Sequence, residues 1–201
     1  VLFRSQGCVP VPLLMAGAVG GAFVATDRRT SGTQLEDQGI ELKAEKKANE
    51  VLNDRGHVNA SAYSRMVLLT GEVPTDADKA AVEQAVARVE NVTSVVNELA
   101  VSFNSSLSSR SSDVLLAGKV RATLVDARDL MANAFKVVVE RGEVYLMGMV
   151  TEREANRAAE LTAGIKGVRR VVKVMQIISE DELAGKLPTA PAYPPAAASQ
   201  P

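Results

Sequence analysis

Hydrophobic and polar positions follow the same order twice along the chain. "VLLTGEVPTDADKAAVEQAVARVENVTSVVNELAV" and "VYLMGMVTEREANRAAELTAGIKGVRRVVKVMQII" each pass from strand-like alternation through a glycine into a helical period, then back to alternation. Gly71 aligns with Gly148 and Val73 with Val150. After a single deletion, Val82, Ala85 and Val89 fall on Ala158, Leu161 and Ile165, and Val92, Val95 and Val96 on Val168, Val171 and Val172.

Each copy reads as helix, strand, strand, helix, strand. In the first, Ile40, Ala44, Ala48 and Val51 mark one stripe of a helix, and strands follow near 57–63 and 66–73. Thr75 or Asp76 caps the second helix behind Pro74, and a strand near 93–101 closes the unit. In the second, a helix at 113–129 precedes "FKVVVERGEVYLMGMV", a hairpin whose Arg141-Gly142 turn supplies a residue able to take positive φ. Thr151 and Glu154 have the spacing of a capping box for a helix at 152–164. The alternation predicts an α+β fold of two tandem αββαβ units, each a three-stranded sheet with two helices on one face. Units of this size lie near the lower limit for independent folding.

Around the units the pattern lapses. Residues 9–25 are apolar and rich in Gly and Pro, and 26–38 are polar. "NSSLSSRSSD" at 104–113 reads as a serine-rich linker, and "LPTAPAYPPAAASQP" at 187–201 as a disordered Pro/Ala tail with polyproline II character. The expected segments are 1–7, a leader remnant; 8–37, a disordered tether; 38–103, the first unit; 104–112, the linker; 113–180, the second unit; and 181–201, the tail.

Composition narrows the function classes. The formal net charge is −1 and tryptophan is absent, so no strongly basic domain is on offer for nucleic acid. One cysteine excludes an internal disulfide framework, and one histidine, His57, leaves no metal cluster to assemble. There is no GxSxG, no phosphate-cradling Gly-rich loop and no HExxH. Glu41, Glu45 and Glu50 alternate with lysines, the mark of a solvated helix face. No catalytic residue, cofactor or metal is expected. Tyr63 and Tyr145 read as half-buried cross-strand partners. The cations of "KGVRRVVK" at 166–173 suit an edge strand guarded against aggregation, with phosphate binding as the alternative.

The strand-glycine-helix passages, with the Val-Val pairs of the closing strands, resemble the BON domain in two copies over residues 38–180. The leader, "QGCV" then "ATDRRTSGTQLED", is similar to that of dual-BON outer-membrane lipoproteins. The resemblance implies a bacterial envelope protein without catalytic activity: a lipid-anchored outer-membrane lipoprotein facing the periplasm, binding anionic phospholipid and supporting envelope integrity. A second reading is a structural protein whose BON units bind envelope-assembly, division or peptidoglycan-associated proteins. Oligomeric state is not fixed by the sequence.

Comparing the first helix of each unit points to where lipid would bind. At about 100° per residue, the helix at 40–52 has one apolar stripe, with Glu41, Lys43, Glu45, Lys46, Asn49 and Glu50 elsewhere and nothing apolar left over. In the other helix Leu116, Val120, Leu124 and Ala127 form the sheet-facing stripe. A second face of Val114, Leu115, Gly118, Ala122 and Val125 is bordered by Lys119, Arg121 and Arg128. Such a face either meets a membrane headgroup layer or packs on the first unit.

Cys8 is the expected lipidation site. Pro10, Pro12, Gly17, Gly20 and Gly21 make the following apolar run a poor membrane helix. Gly7 suits the position before an acylated cysteine, and Val9 is not the aspartate that favours inner-membrane retention in enteric lipoproteins. Ser5 and Arg4 depart from the usual lipoprotein signal, so 1–5 reads as a truncated leader carrying a few foreign residues, the alternative being a broken lipoprotein signal.

Overall fold

The computed structural model describes residues 27–102 and 107–186. The first unit comprises α1 (Ser31–Leu52), β1 (His57–Tyr63), β2 (Met66–Val73), α2 (Asp76–Ala87), β3 (Ser94–Asn97) and β4 (Ala100–Val101). The second comprises α3 (Leu107–Asp126), β5 (Phe135–Glu140), β6 (Glu143–Val150), α4 (Glu152–Ala163) and β7 (Arg170–Ile177), with a 3-10 turn at Ala132–Ala134. A short α5 (Glu180–Lys186) follows.

In each sheet the hairpin is antiparallel and the closing strand joins its second member in parallel, giving the orders β1-β2-β3 and β5-β6-β7. β3 and β4 both run parallel to β2, so the predicted strand at 93–101 is one strand interrupted at Glu98 and Leu99. The α+β units of the sequence reading are therefore present twice.

Local chemistry explains the hairpins. Each has a two-residue turn with positive φ at both positions: 48° and 67° at Ser64 and Arg65, 54° and 73° at Arg141 and Gly142. That geometry matches the twist of the strands it joins. Three of the four residues are not glycine, and each turn is held from outside by a buried aspartate. Asp37 accepts from the N–H groups of Ser64 and Arg65 at 2.8 Å each, and Asp113 from those of Arg141 and Gly142 at 2.8 Å each. The repeated glycines have a different reason. At Gly71 (φ +119°) an added Cβ would lie 2.1 Å from the His57 carbonyl oxygen, and at Gly148 2.5 Å from that of Ala134. In both units neighbouring backbone crosses where a side chain would begin, β1 in the first and the end of the 3-10 turn leading into β5 in the second.

Both sheet faces are covered. Ile40, Ala44, Ala48 and Leu52 of α1 with Val82 and Val86 of α2 bury one face of the first sheet, and Val120, Leu124, Ala155 and Ala158 do the same in the second. The opposite faces meet each other. Tyr63, Leu68, Tyr145, Met147 and Val174 form a third core between the sheets, with Met66, Val96, Val138 and Val172 packed around it. Burying both faces is why β2 and β6 are apolar nearly throughout rather than alternating. It also corrects the reading of Tyr63 and Tyr145, which are 1% and 2% exposed, fully buried in this inter-sheet core.

Three boundaries shift. α1 begins at Ser31 with Thr30 as its N-cap, inside the stretch expected to be tether. Glu36 and Asp37 are not solvated tether residues, since Asp37 holds the first hairpin turn. α3 begins at Leu107, inside the expected linker, because serine tolerates a helix that is anchored by its later turns. α5 occupies part of the expected tail, with Leu183 buried. Cys8 and residues 187–201 lie outside the described residues.

Polar groups fasten the two units. Asn59 donates to Glu140 at 3.1 Å, Lys136 pairs with Glu41, and Arg170 bridges Glu98 and Glu143 at 2.6 Å each. Glu72, fully buried on β2, has no hydrogen-bond partner among the described residues; His57 Nδ1 is 3.8 Å away. Burial, then the Glu72 charge, pushes the Glu140 carboxyl above its ordinary 4.5; Asp113 adds to this, and Asn59 and Arg110 oppose it. A carboxyl raised on folding stabilises fully below its unfolded value, and that contribution is lost as pH rises through the folded value. Glu140→Gln is therefore expected to flatten the fall in thermal stability above pH 4.5 and to melt higher than the parent at pH 7.5. Parallel melting curves across that range would refute it.

Candidate membrane-facing helix

The sequence places a conventional amphipathic stripe on α3, and the sheet takes it: Leu116, Val120 and Leu124 are 6%, 0% and 1% exposed. On the far side, Val114, Leu115 and Val125 are 72%, 70% and 68% exposed. Gly118, Lys119, Arg121, Ala122 and Arg128 are exposed as well. A Cβ at Gly118 would meet nothing within 4 Å, so no packing constraint explains the glycine. All eight predicted residues are thus at the surface on or beside one helix. The alternative in which this face packs on the first unit does not hold, because that contact is made by the sheets.

Electrostatically the face is cationic at its rim. Arg121 is lightly held, donating through Nη2 to the Val137 carbonyl at 3.3 Å. Lys119 makes no ion pair among the described residues. No described helix is long and apolar enough to cross a membrane. An exposed apolar patch with flanking cations, on a helix whose other face is packed, has the chemistry of an interfacial contact.

The first unit corrects one expectation. α1 does have apolar residues left over: Leu35 and Leu42, seven apart and so on one face, are each 71% exposed. Leu35 precedes the expected helix at 40–52, and Leu42 stands between charged neighbours, Glu41 and Lys43. Beside them the surface is highly charged, with Lys43 paired to Glu90 at 3.1 Å and Lys47 to Glu50 at 2.7 Å.

Sequence reasoning also missed the arm ahead of α1. Arg28 is 2% exposed at its side chain and forms a bidentate pair with Glu154 at 2.7 and 2.8 Å, donating also to the Met149 carbonyl at 2.9 Å. Glu154 simultaneously completes the predicted capping box with Thr151. Burial raises the Glu154 carboxyl, but the Arg28 and Thr151 donors more than offset it and hold it below the usual range. Next along, Arg29 lies 4.0 Å over the Tyr63 ring and pairs with Asp37 at 2.8 Å. The arm thus joins the second unit through one arginine and the first through the next. Asp27, where the described chain begins, lines one cavity of about 430 Å³ with Val125 of α3. A polar "TDRRT" gives no periodic signal. Asp37 and Asp113 were missed as well, and the signal that could have found them is the repeat itself, since each stands at the same spacing before a lysine, Lys43 and Lys119.

Two αββαβ units with a glycine at the strand crossover define the class: the BON domain model matches residues 37–102 and 112–179, and the chain belongs to the BON-domain family. It is 39% identical over 176 residues to the outer membrane lipoprotein DolP of Haemophilus influenzae, covering 86% of this chain and 90% of that protein. It is 29% identical over 154 residues to a 21 kDa hemolysin of Actinobacillus pleuropneumoniae, covering 76% and 79%. Among solved structures, the C-terminal domain of CdsD, the structural protein of the Type III secretion system of Chlamydia trachomatis, overlays with a TM-score of 0.30 at 11% identity. That overlay spans 67% of this chain and 96% of the other, a likeness too distant to carry an argument.

Proposed function

We propose that the protein is an outer-membrane lipoprotein, anchored through acyl chains on Cys8 and facing the periplasm, whose second BON unit binds anionic phospholipid and supports envelope integrity. The outward face of α3 carries this reading: three large apolar side chains are about 70% exposed on a helix whose rim is cationic. Similarity to DolP, itself an outer membrane lipoprotein, supports the location. Because α3 is already packed by its other face, binding requires no unfolding. Val114, Leu115 and Val125 enter the headgroup boundary while Lys119, Arg121 and Arg128 meet phosphates, each cation contributing about 1 kcal/mol near an anionic surface. The arm adds support, since Asp27 and Val125 share a cavity and a chain leaving there starts beside α3.

Leu115→Glu removes roughly 2 kcal/mol of apolar burial, which corresponds to about a 30-fold loss of binding. Sedimentation with phosphatidylglycerol-containing vesicles is expected to show that loss, with an unchanged circular dichroism spectrum since the side chain is 70% exposed in the free protein. Undiminished binding by the folded variant removes α3 from the mechanism. Intact mass of the natively expressed protein tests the anchor, and an unmodified Cys8 thiol rules it out.

A further inference from the structure

Beside Leu115, at the N-terminal half of α3, lies a cavity of about 470 Å³. Lys119, Arg141, Lys166 and Arg169 line it, against one carboxylate, Asp113. Asp113 is already engaged, both its oxygens accepting the turn N–H groups of Arg141 and Gly142 at 2.8 Å. Neither lysine forms an ion pair among the described residues. The arginines are positioned by neutral groups: Arg141 Nη1 donates to Ser102 Oγ at 2.7 Å, and Arg169 Nη1 to the Arg141 carbonyl at 3.3 Å. The Arg169 stem crosses Gly142, where a Cβ would stand 3.0 Å from its Cδ, so glycine keeps that stem against the turn.

The first unit supplies an internal comparison. By the alignment of the two copies, Glu90 stands where the second has Lys166, Thr93 where it has Arg169, and Gly39 where it has Leu115. Lys43, the counterpart of Lys119, is neutralised by Glu90 at 3.1 Å, and Thr93 donates to the Arg65 carbonyl much as Arg169 does to that of Arg141. The framework is shared while the charge differs. In the second unit the same corner is lined by four cations and adjoined by an apolar side chain.

We infer that this cavity is a phosphate subsite, seating the phosphodiester of an anionic phospholipid headgroup while Leu115 meets the acyl boundary. Arginine forks bind phosphate oxygens pairwise and lysines add point charge. The inference rests on the membrane reading of α3 and gives it a headgroup site on the neighbouring turns.

The test uses the full chain carrying Lys166→Glu and Arg169→Thr, residues that the first unit already accommodates at the equivalent positions. Vesicles of phosphatidylcholine with phosphatidylglycerol are expected to bind this variant at least tenfold more weakly than the parent. Lys173→Glu, whose Nζ is bonded to Asn156 at 3.0 Å on α4, changes charge outside the cavity and is expected to bind as the parent does. Inorganic phosphate, compared with chloride at equal ionic strength, is expected to shift the amide resonances of Gly142 and Gly167 in the parent but not in the double variant. Equal vesicle binding by parent and double variant overturns the subsite while leaving α3 standing, and an equal loss in Lys173→Glu reduces it to general charge. Phosphate shifts in the parent with vesicle binding untouched in the variant would make it a site for free phosphate, overturning the lipid assignment. Failure of the parent itself to bind anionic vesicles overturns the membrane reading first.

Discussion

Arg28→Ala is expected to destabilise the protein by about 3–5 kcal/mol, because removing one member of a buried ion pair strands the other. Glu154 is 4% exposed at its side chain and, among the described residues, would keep only the Thr151 N–H as a hydrogen-bond partner. A charge so placed is scarcely screened by salt, unlike the exposed Lys47–Glu50 pair. Urea denaturation at low and high salt measures the effect. Combining Arg28→Met with Glu154→Gln tests the cause: glutamine keeps an acceptor for the Thr151 N–H and neither residue leaves a charge behind. The double variant is expected to recover most of the lost stability. A single variant within 1 kcal/mol of the parent would mean that the arm merely rests on the second unit. The experiment bears on function, since this arm connects the stretch after Cys8 to both units at once. Without the bridge to Glu154, the arm would keep its contacts through Arg29 on the first unit.

Gly71→Ala is the second large effect. The backbone there has φ +119°, and the new Cβ would stand 2.1 Å from the His57 carbonyl oxygen. Strain in a glycine-only region and a clash with backbone, which cannot rotate away, together cost about 3 kcal/mol or more. β1 must peel from β2 at its first residues, which exposes Val58 and loosens the inter-sheet end where Glu72 and Asn59 lie. Gly148→Ala meets the Ala134 carbonyl at 2.5 Å without a positive φ, so it is expected to cost less. Thermal melts of the two variants should rank in that order. Equal melting points would show that the clash, and not the dihedral angle, decides the penalty.

The family was legible because its requirements are local and stated twice. A glycine at a strand crossover, a Thr151-to-Glu154 cap and a stripe at helical spacing each act within a few residues, and the repeat allowed each to be checked against its copy. The outer face of α3 was legible for the same reason: a helix's own spacing says which residues cannot reach the sheet. Leu42 was equally visible, and it was missed because charged neighbours dominated the helix.

What tertiary structure alone decided is where surfaces with no periodic signal meet. The near-continuous apolar runs of β2 and β6 report that both faces are covered, not which partner covers them, and only the fold showed Tyr63 and Tyr145 meeting between the two sheets. The same holds for Arg28 and Glu154, separated by 126 residues, and for the four cations that the second unit gathers from a helix, a hairpin turn and a loop. Helix and strand periods are properties of neighbouring residues and survive in one dimension. Charge pairing and cavity lining depend on distances through space, which the chain acquires only when it folds.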